Sequence, residues 1–464
     1  MENIPIVALD SEPSTTKMAQ VNGKFYVRLV AGHYQNLRRW LSWPLMAAFF
    51  LVVWLPWDGH PAVLFSSQER RIFLFGLNLS WHDLPLLSGM LIAAAALLFF
   101  TAVAWGRVWC GFACPQSVWT WLFIRIEHLI EGDARVVRKR ENRGLSVTDW
   151  LRRGVKHGVW MVVALATAAT FSGYFVPVRE LTAELVLLEF GSGVWLWVII
   201  MAALTYANAG LVREKICLHA CPYSRFQSVM FDLDTRTVSY DVARGEPRIS
   251  ARRQSSSGGD CVDCSLCVQV CPTGIDIRDG LQAACIDCGA CIDACDGVMA
   301  RLERPPGLIR FASERQLQGQ SSPLFRGRLL GYGAIALMAV GVVIWGFTQT
   351  TAMVVEVRRD RTELFSIRPD DTVCNDYRLK VEGFVPGQTL VQVIVRELVA
   401  VGADEGQFEL LGPEGIDLAQ SQASWQNYRV CALNPAQGKT RLQLEFRLGK
   451  HISTRNSTFL VGRH

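Results

Sequence analysis

The chain has 464 residues, too many for one ordinary domain, and two to four folding units are expected. Half of the residues are hydrophobic, with fifteen Trp and twenty-three Phe, and only 19% are charged, a balance that points to the membrane. The net charge of +5 is unevenly spread and informs topology; no basic run is interleaved with aromatics, which excludes nucleic acid as a partner.

Residues 1–39 are polar and end in Arg38-Arg39; they contain no apolar stretch of the kind a signal peptide needs, and they read as a cytoplasmic segment. Five uncharged stretches follow: 40–57 (18 residues, short against the roughly 20 that a helical crossing requires), 84–106, 157–178, 190–212 and 329–355. Lys and Arg number ten between Arg107 and Lys156 and fourteen between Arg213 and Arg326, against two in 58–83 and one in 179–189. By the positive-inside rule, five spans then put the N-terminus and both basic segments in the cytoplasm and the C-terminal region across the membrane. Membrane lipid is therefore an expected partner.

Two cysteine pairs follow the second and fourth spans: WCGFACPQSVWTW with Cys110 and Cys114, and CLHACPYSRFQS with Cys217 and Cys221. Both read C-x3-C-P and continue into a Ser–aromatic stretch, an internal repeat that completes the transmembrane region 40–230. Thiols four apart on a helix share a face, and four soft sulfurs favour Cu(I), zinc or an iron–sulfur cluster. His219 is a candidate fifth ligand. The bland alternative is helix packing, because free Cys is often simply buried.

Eight of the fourteen cysteines lie between Cys261 and Cys295, in two copies of C-x2-C-x2-C-x3-C, the run of a bacterial-type dicluster ferredoxin. In such runs the fourth cysteine ligates the other cluster. Cys261, Cys264, Cys267 and Cys295 are thus expected on one [4Fe–4S] cluster, and Cys271, Cys285, Cys288 and Cys291 on the second. Zinc is the alternative, but its sites usually split four ligands into two pairs. Pro272 completes the first run, whereas Asp296 stands at the corresponding place in the second. The α+β ferredoxin module occupies 231–326, between the fourth span and the last (327–355).

From 356 to 464, seven or so short β-rich runs separated by Pro386-Gly387, Gly412-Pro413 and Asn434-Pro435 suggest a β-sandwich. Cys374 and Cys431 fall on the oxidising side, as a disulfide or as two buried thiols. No C-x-x-C-H haem motif, Rossmann pattern or P-loop stands out, so electrons are expected from a cytoplasmic partner.

With these residues in view, the chain resembles the cytochrome c oxidase accessory proteins of the CcoG, FixG and RdxA family. The two C-x3-C-P stretches and the dicluster run carry the resemblance, as does the order of parts. It implies a multi-pass protein of the bacterial inner membrane whose C-terminal domain, 356–464, is a periplasmic immunoglobulin-like β-sandwich. The implied activity is oxidoreductase: reduction of Cu(II) to Cu(I) in assembly of cbb-type cytochrome c oxidase. Copper is then substrate or bound ion, and copper-delivery proteins and oxidase subunits are partners. A quinol- or ferredoxin-linked electron conduit without copper chemistry, and a non-enzymatic assembly scaffold, stay open as alternatives.

Overall fold

The computed structural model describes residues 20–21, 24–57, 59–67, 71–80, 83–187, 193–248, 258–323, 326–348, 353–360, 363–369, 372–384, 390–397, 408–413, 415–418, 424–433 and 438–461. Most of the expected N-terminal segment, and the turns expected at Pro386-Gly387 and Asn434-Pro435, lie outside the described residues. Two compact units are present: Met1–Phe65 with Leu86–Trp345, and Ser66–Pro85 with Gly346–His464.

Four helices are long and apolar enough to cross a bilayer: Leu84–Trp105, Val147–Ser172, Gly193–Val212 and Gly327–Thr348. Their large apolar side chains face outward, Leu91, Leu196, Leu337 and Trp345 each being more than half exposed. Such a surface is a liability in water and costs nothing against lipid tails.

Helix bounds depart from the expected spans for identifiable reasons. The stretch expected at 40–57 falls on a 20-residue helix, His33–Val52, which starts earlier and is not one of the four. It carries a buried polar stripe of Gln35, Arg38 and Ser42, and the Arg38 guanidinium donates to the Ser117 carbonyl at 3.1 Å. The stretch expected at 157–178 is instead a helix from Val147 to Ser172. Ser146 and Asp149 form a reciprocal capping box there, which starts the helix nine residues before its last charge, Lys156. Its first turns run through Arg152, Arg153 and Lys156. Lys156 is 0% exposed and pairs with Glu131 at 2.9 Å and Glu127 at 3.5 Å. Glu127 also takes Arg213 at 2.5 Å, so two carboxylates and two cations are buried together. The expected 190–212 span is Gly193–Thr205, continued as a π-helix over Tyr206–Val212. The expected 329–355 span ends at Thr348, and by Met353 the chain is a strand.

Between Gly193–Val212 and Gly327–Thr348 sits the cysteine-rich module. Strands Thr237–Tyr240 and Ile309–Ala312 pair antiparallel, Thr237 opposite Ala312, and close its ends. Inside, each cysteine run feeds a helix, Leu266–Gln269 and Ala290–Arg301. Asp293 accepts the backbone N–H groups of Tyr34 (3.1 Å) and Gln35 (2.8 Å), so the module supplies the N-terminal cap of His33–Val52. Gly32 permits that approach, because a Cβ there would lie 2.3 Å from the Asp293 Cγ.

The second unit contains two antiparallel sheets. One runs Met353–Arg359, Thr372–Gly383, Gln426–Leu433, Phe408–Leu411, with Ser366–Ile367 at the side. The other runs Gly415–Asp417, Leu390–Glu397, Gly438–Leu448, His451–Val461. Alternate residues of both, including Tyr377, Leu379, Val430, Leu444, Phe446 and Phe459, form one core. The hairpin of Arg71–Leu74 and Leu77–Ser80 belongs to this unit, with Arg71 over the Phe384 ring at 5.2 Å. Cys374 and Cys431 face each other across neighbouring strands and are disulfide-bonded, 57 residues apart in sequence. Closing a loop of that length stabilises a domain by about 2–4 kcal/mol. Cys374→Ala with Cys431→Ala is expected to lower the unfolding free energy of this unit by that amount in a denaturant titration, and an unshifted midpoint would refute it.

Candidate iron–sulfur and cysteine centre

The two ferredoxin runs fold alike. In Cys261-Val-Asp-Cys-Ser and Cys285-Ile-Asp-Cys-Gly the same two positions are left-handed: Asp263 and Ser265 (φ 47° and 53°), Asp287 and Gly289 (φ 51° and 69°). Residues other than glycine seldom adopt this conformation. Its repetition curls each loop around a point and brings the thiols inward. One cavity is lined by Cys261, Cys264, Cys267 and Cys295, with Arg278 in its wall. The second is lined by Cys271, Cys285, Cys288 and Cys291, and also by Cys267, which both cavities share.

These residues fit [4Fe–4S] clusters. Four cysteines line the first cavity and four more the second, where Cys267 also reaches. The backbone N–H groups of Thr273, Gly274 and Ile275 donate to the Cys271 sulfur, the kind of hydrogen bond that tunes a cluster. Burial pushes Cys267 and Cys295 up to about 12 and Cys288 to about 11. Without a cationic centre they are neutral thiols, so cluster loading displaces protons. Among the described residues no three His, Cys, Asp or Glu stand close enough to share a single metal ion. A cubane presents an iron at each of four corners and holds its thiolates further apart than one ion does. Arg278, held by Asp276 (2.6 Å) and Asp263 (2.6 Å), places a cation beside the first cavity.

The C-x3-C-P stretches are also built alike. Cys110 lies in the short helix Val108–Phe112 and Cys217 in Lys215–His219. Cys114 and Cys221 are the extended caps of Pro115–Glu131 and Pro222–Val229, each with proline at the first helical position. The backbone repeats as well: Cys114 N–H donates to Trp109 O at 2.9 Å and Cys221 N–H to Ile216 O at 3.0 Å. Cys110 and Cys217 each stand within electrostatic reach of other thiols of the quartet, and burial pushes both up to about 12. No three of the four are close enough to share a single ion in this arrangement. Each remains partly exposed, as an exchangeable site must be. His219 is exposed at the end of its helix.

The two centres touch. Cys110 packs into the apolar cluster that contains Cys288 and Cys291. Arg107 donates to the carbonyls of Ala283 and Cys285 (2.9 Å for the latter), and Asp287 accepts from the backbone N–H groups of Arg107 (2.8 Å) and Val238 (3.0 Å). Gly111 lies so close that a Cβ would sit 2.6 Å from the Ile286 carbonyl oxygen. Sequence reasoning missed Arg107, Gly111 and Asp287. The available signal was the glycine between the first two cysteines, the position where another backbone must approach.

Comparison with known proteins agrees with this construction. Residues 212–314 match the model of a 4Fe-4S dicluster domain, and residues 87–126 that of a 4Fe-4S binding domain. The chain is 38% identical to protein RdxA of Cereibacter sphaeroides over 371 residues, 77% of this chain and 78% of that one. It is 33% identical to the nitrogen fixation protein FixG of Rhizobium meliloti over 442 residues, 84% of each. The chain belongs to the FixG/RdxA family. Protein RdxB of C. sphaeroides, 36% identical over 77% of the chain, is a further member-like relative. As a FixG/RdxA protein with four apolar helices and a dicluster domain, it is a membrane iron–sulfur electron-transfer protein. The 4Fe-4S match at 87–126 covers Cys110 and Cys114, a region the spacing argument left open between copper, zinc and an iron–sulfur cluster.

Proposed function

We propose that the chain reduces Cu(II) to Cu(I) at Cys110, Cys114, Cys217 and Cys221 and serves the assembly of a cbb-type cytochrome c oxidase. The observation that carries this reading is the packing of Cys110 on the apolar cluster that includes Cys288, which sets a partly exposed soft-ligand site beside the wall of an electron carrier. Bound clusters supply one-electron transfer. The protein's own residues do the rest. Cys267 borders both cavities and joins them, Asp287 and Arg107 clamp the second loop onto the C-x3-C-P turn, and the four thiols receive copper. Cu(II) takes up one electron, and thiolate ligation favours the Cu(I) product because soft sulfur prefers the softer ion.

The protein lies in the bacterial inner membrane with the cysteine module in the cytoplasm and the C-terminal unit outside, an immunoglobulin-like domain that docks copper-delivery or oxidase subunits. Five crossings are favoured. The start of His33–Val52 is capped by the cysteine module, while Val53 at its other end packs on Gly173, just past the end of Val147–Ser172. The grouping of the 71–80 hairpin with the C-terminal unit supports a shared side for both.

The test is a single turnover. Anaerobic protein, reduced by dithionite and freed of excess reductant, is mixed with Cu(II) and a Cu(I)-specific chelator. Cu(I) should form in step with cluster reoxidation, one ion per electron released; reoxidation without Cu(I), or no reoxidation, would overturn the reading.

A further inference from the structure

A cavity of about 500 Å³ opens among four helices of the first unit, His33–Val52, Pro115–Glu131, Val147–Ser172 and Gly193–Val212. This lies within the range of small-molecule sites. Ala113 and Pro115, the residues on either side of Cys114, form part of its wall. No charged side chain lines it. Most of the lining is apolar, with Phe49, Phe171 and Met201 among the larger groups, while Gln116 and Asn208 provide a polar patch.

That patch is built. Asn208 lies in the π-helical segment Tyr206–Val212, a local winding frequent at functional sites. Gln116 Nε2 donates to the backbone carbonyls of Asn208 and Arg213, both at 3.2 Å, which fixes the amide and leaves its oxygen free. Among the described residues the Asn208 side chain has no hydrogen-bond partner, so one donor group and one acceptor line the space unpaired. Thr205 and Thr167 spend their hydroxyl protons on Met201 O and Val163 O, both at 2.8 Å, and Thr167 also accepts from the Trp119 indole N–H at 3.0 Å, so neither hydroxyl has a proton left for a ligand.

We propose that this cavity binds a membrane quinol, which donates the electrons that the cysteine centre delivers. A phospholipid head group would demand a cation in the wall, and none is there. A neutral aromatic ring with hydroxyl groups needs apolar walls and amide partners, and an isoprenoid tail can leave through the open side toward lipid. Asn208 and the Gln116 oxygen bind and orient the two-electron donor beside Cys114. On oxidation two O–H bonds break, two protons leave to water, and two electrons pass singly to the iron–sulfur centres and then to two Cu(II) ions. The quinol becomes the quinone.

This rests on the reading of the chain as an electron carrier, and the experiment separates the two. Full-length protein in lipid nanodiscs is given a short-chain ubiquinol or menaquinol anaerobically, and cluster bleaching is followed. Bound quinone is counted separately by solvent extraction. Wild type should be reduced by quinol and retain quinone. Met201→Trp, which fills the space, should lose both, and Asn208→Leu should weaken quinol affinity about tenfold, as expected for one buried polar partner. Dithionite should still bleach the clusters in each variant; Asn208→Leu alone carries the test if Met201→Trp does not assemble them. Quinol reduction that is absent in wild type while dithionite works, or equal in wild type and both variants, overturns the proposal. So does a phospholipid that occupies the cavity and is not displaced by quinol. Quinol-driven cluster bleaching without Cu(I) formation would instead support this site and refute the copper reading.

Discussion

Exchange of Cys110, Cys114, Cys217 and Cys221 for serine is expected to lower Cu(II) reduction at least about a hundredfold, since loss of a group that merely supports a metal ligand already costs about 10–100-fold. The cluster absorbance should survive. Serine keeps nearly the size of cysteine but offers a hard hydroxyl where a soft thiolate stood, so shape is retained and affinity for Cu(I) is lost. The cubane cysteines lie in separate loops, curled by their own left-handed positions, and Cys110 packs on the cluster beside them. Single-motif variants sharpen the result. The two C-x3-C-P turns repeat one backbone pattern, so Cys110→Ser with Cys114→Ser should do as much harm as Cys217→Ser with Cys221→Ser. If the cysteines serve only packing, the quadruple variant will reduce Cu(II) at the wild-type rate. That outcome would sink the assignment.

Lys156→Met is expected to destabilise the first unit by about 3–5 kcal/mol, the range seen when one partner of a buried ion pair is removed. The lysine is fully buried, and its ammonium lies 2.9 Å from Glu131 and 3.5 Å from Glu127. Arg213 still answers Glu127 after the exchange, but Glu131 loses its 2.9 Å contact with the ammonium and keeps its burial. Heat-induced unfolding in detergent should show the loss, and adding Glu131→Gln should recover much of it by removing the stranded charge. A midpoint within error of wild type for the single variant would show that water reaches this cluster and screens it.

The cluster loops were legible because cubane ligation is a local code: eight thiols at fixed spacing declare both the loops and their exchange of fourth ligands. The duplicated C-x3-C-P turn was legible for the same reason, since proline starts the next helix and the preceding cysteine must then be its cap. The start of the Val147 helix was hidden because hydropathy counts Arg152, Arg153 and Lys156 as solvent-bound, whereas Lys156 is neutralised by carboxylates more than twenty residues upstream. Arg38 misled in the same way: it reads as the end of a polar segment and is buried one turn inside a helix, bonded to Ser117. The clamp of Arg107 on the Cys285 loop spans 178 residues, and pattern reading along the chain has no access to such a distance. Nor could spacing show the cavity, which is formed by what four helices leave unfilled.

The cap that Asp293 places on Tyr34 and Gln35 has a consequence for how the molecule is made. The carboxylate stands 258 positions after the amide that it closes, so a ribosome must synthesise more than half of the chain before the first helix has its amino end finished. Until then that end is held by water. Its completion reports that the second cysteine loop has folded, so the earliest helix is finished only after the module that caps it.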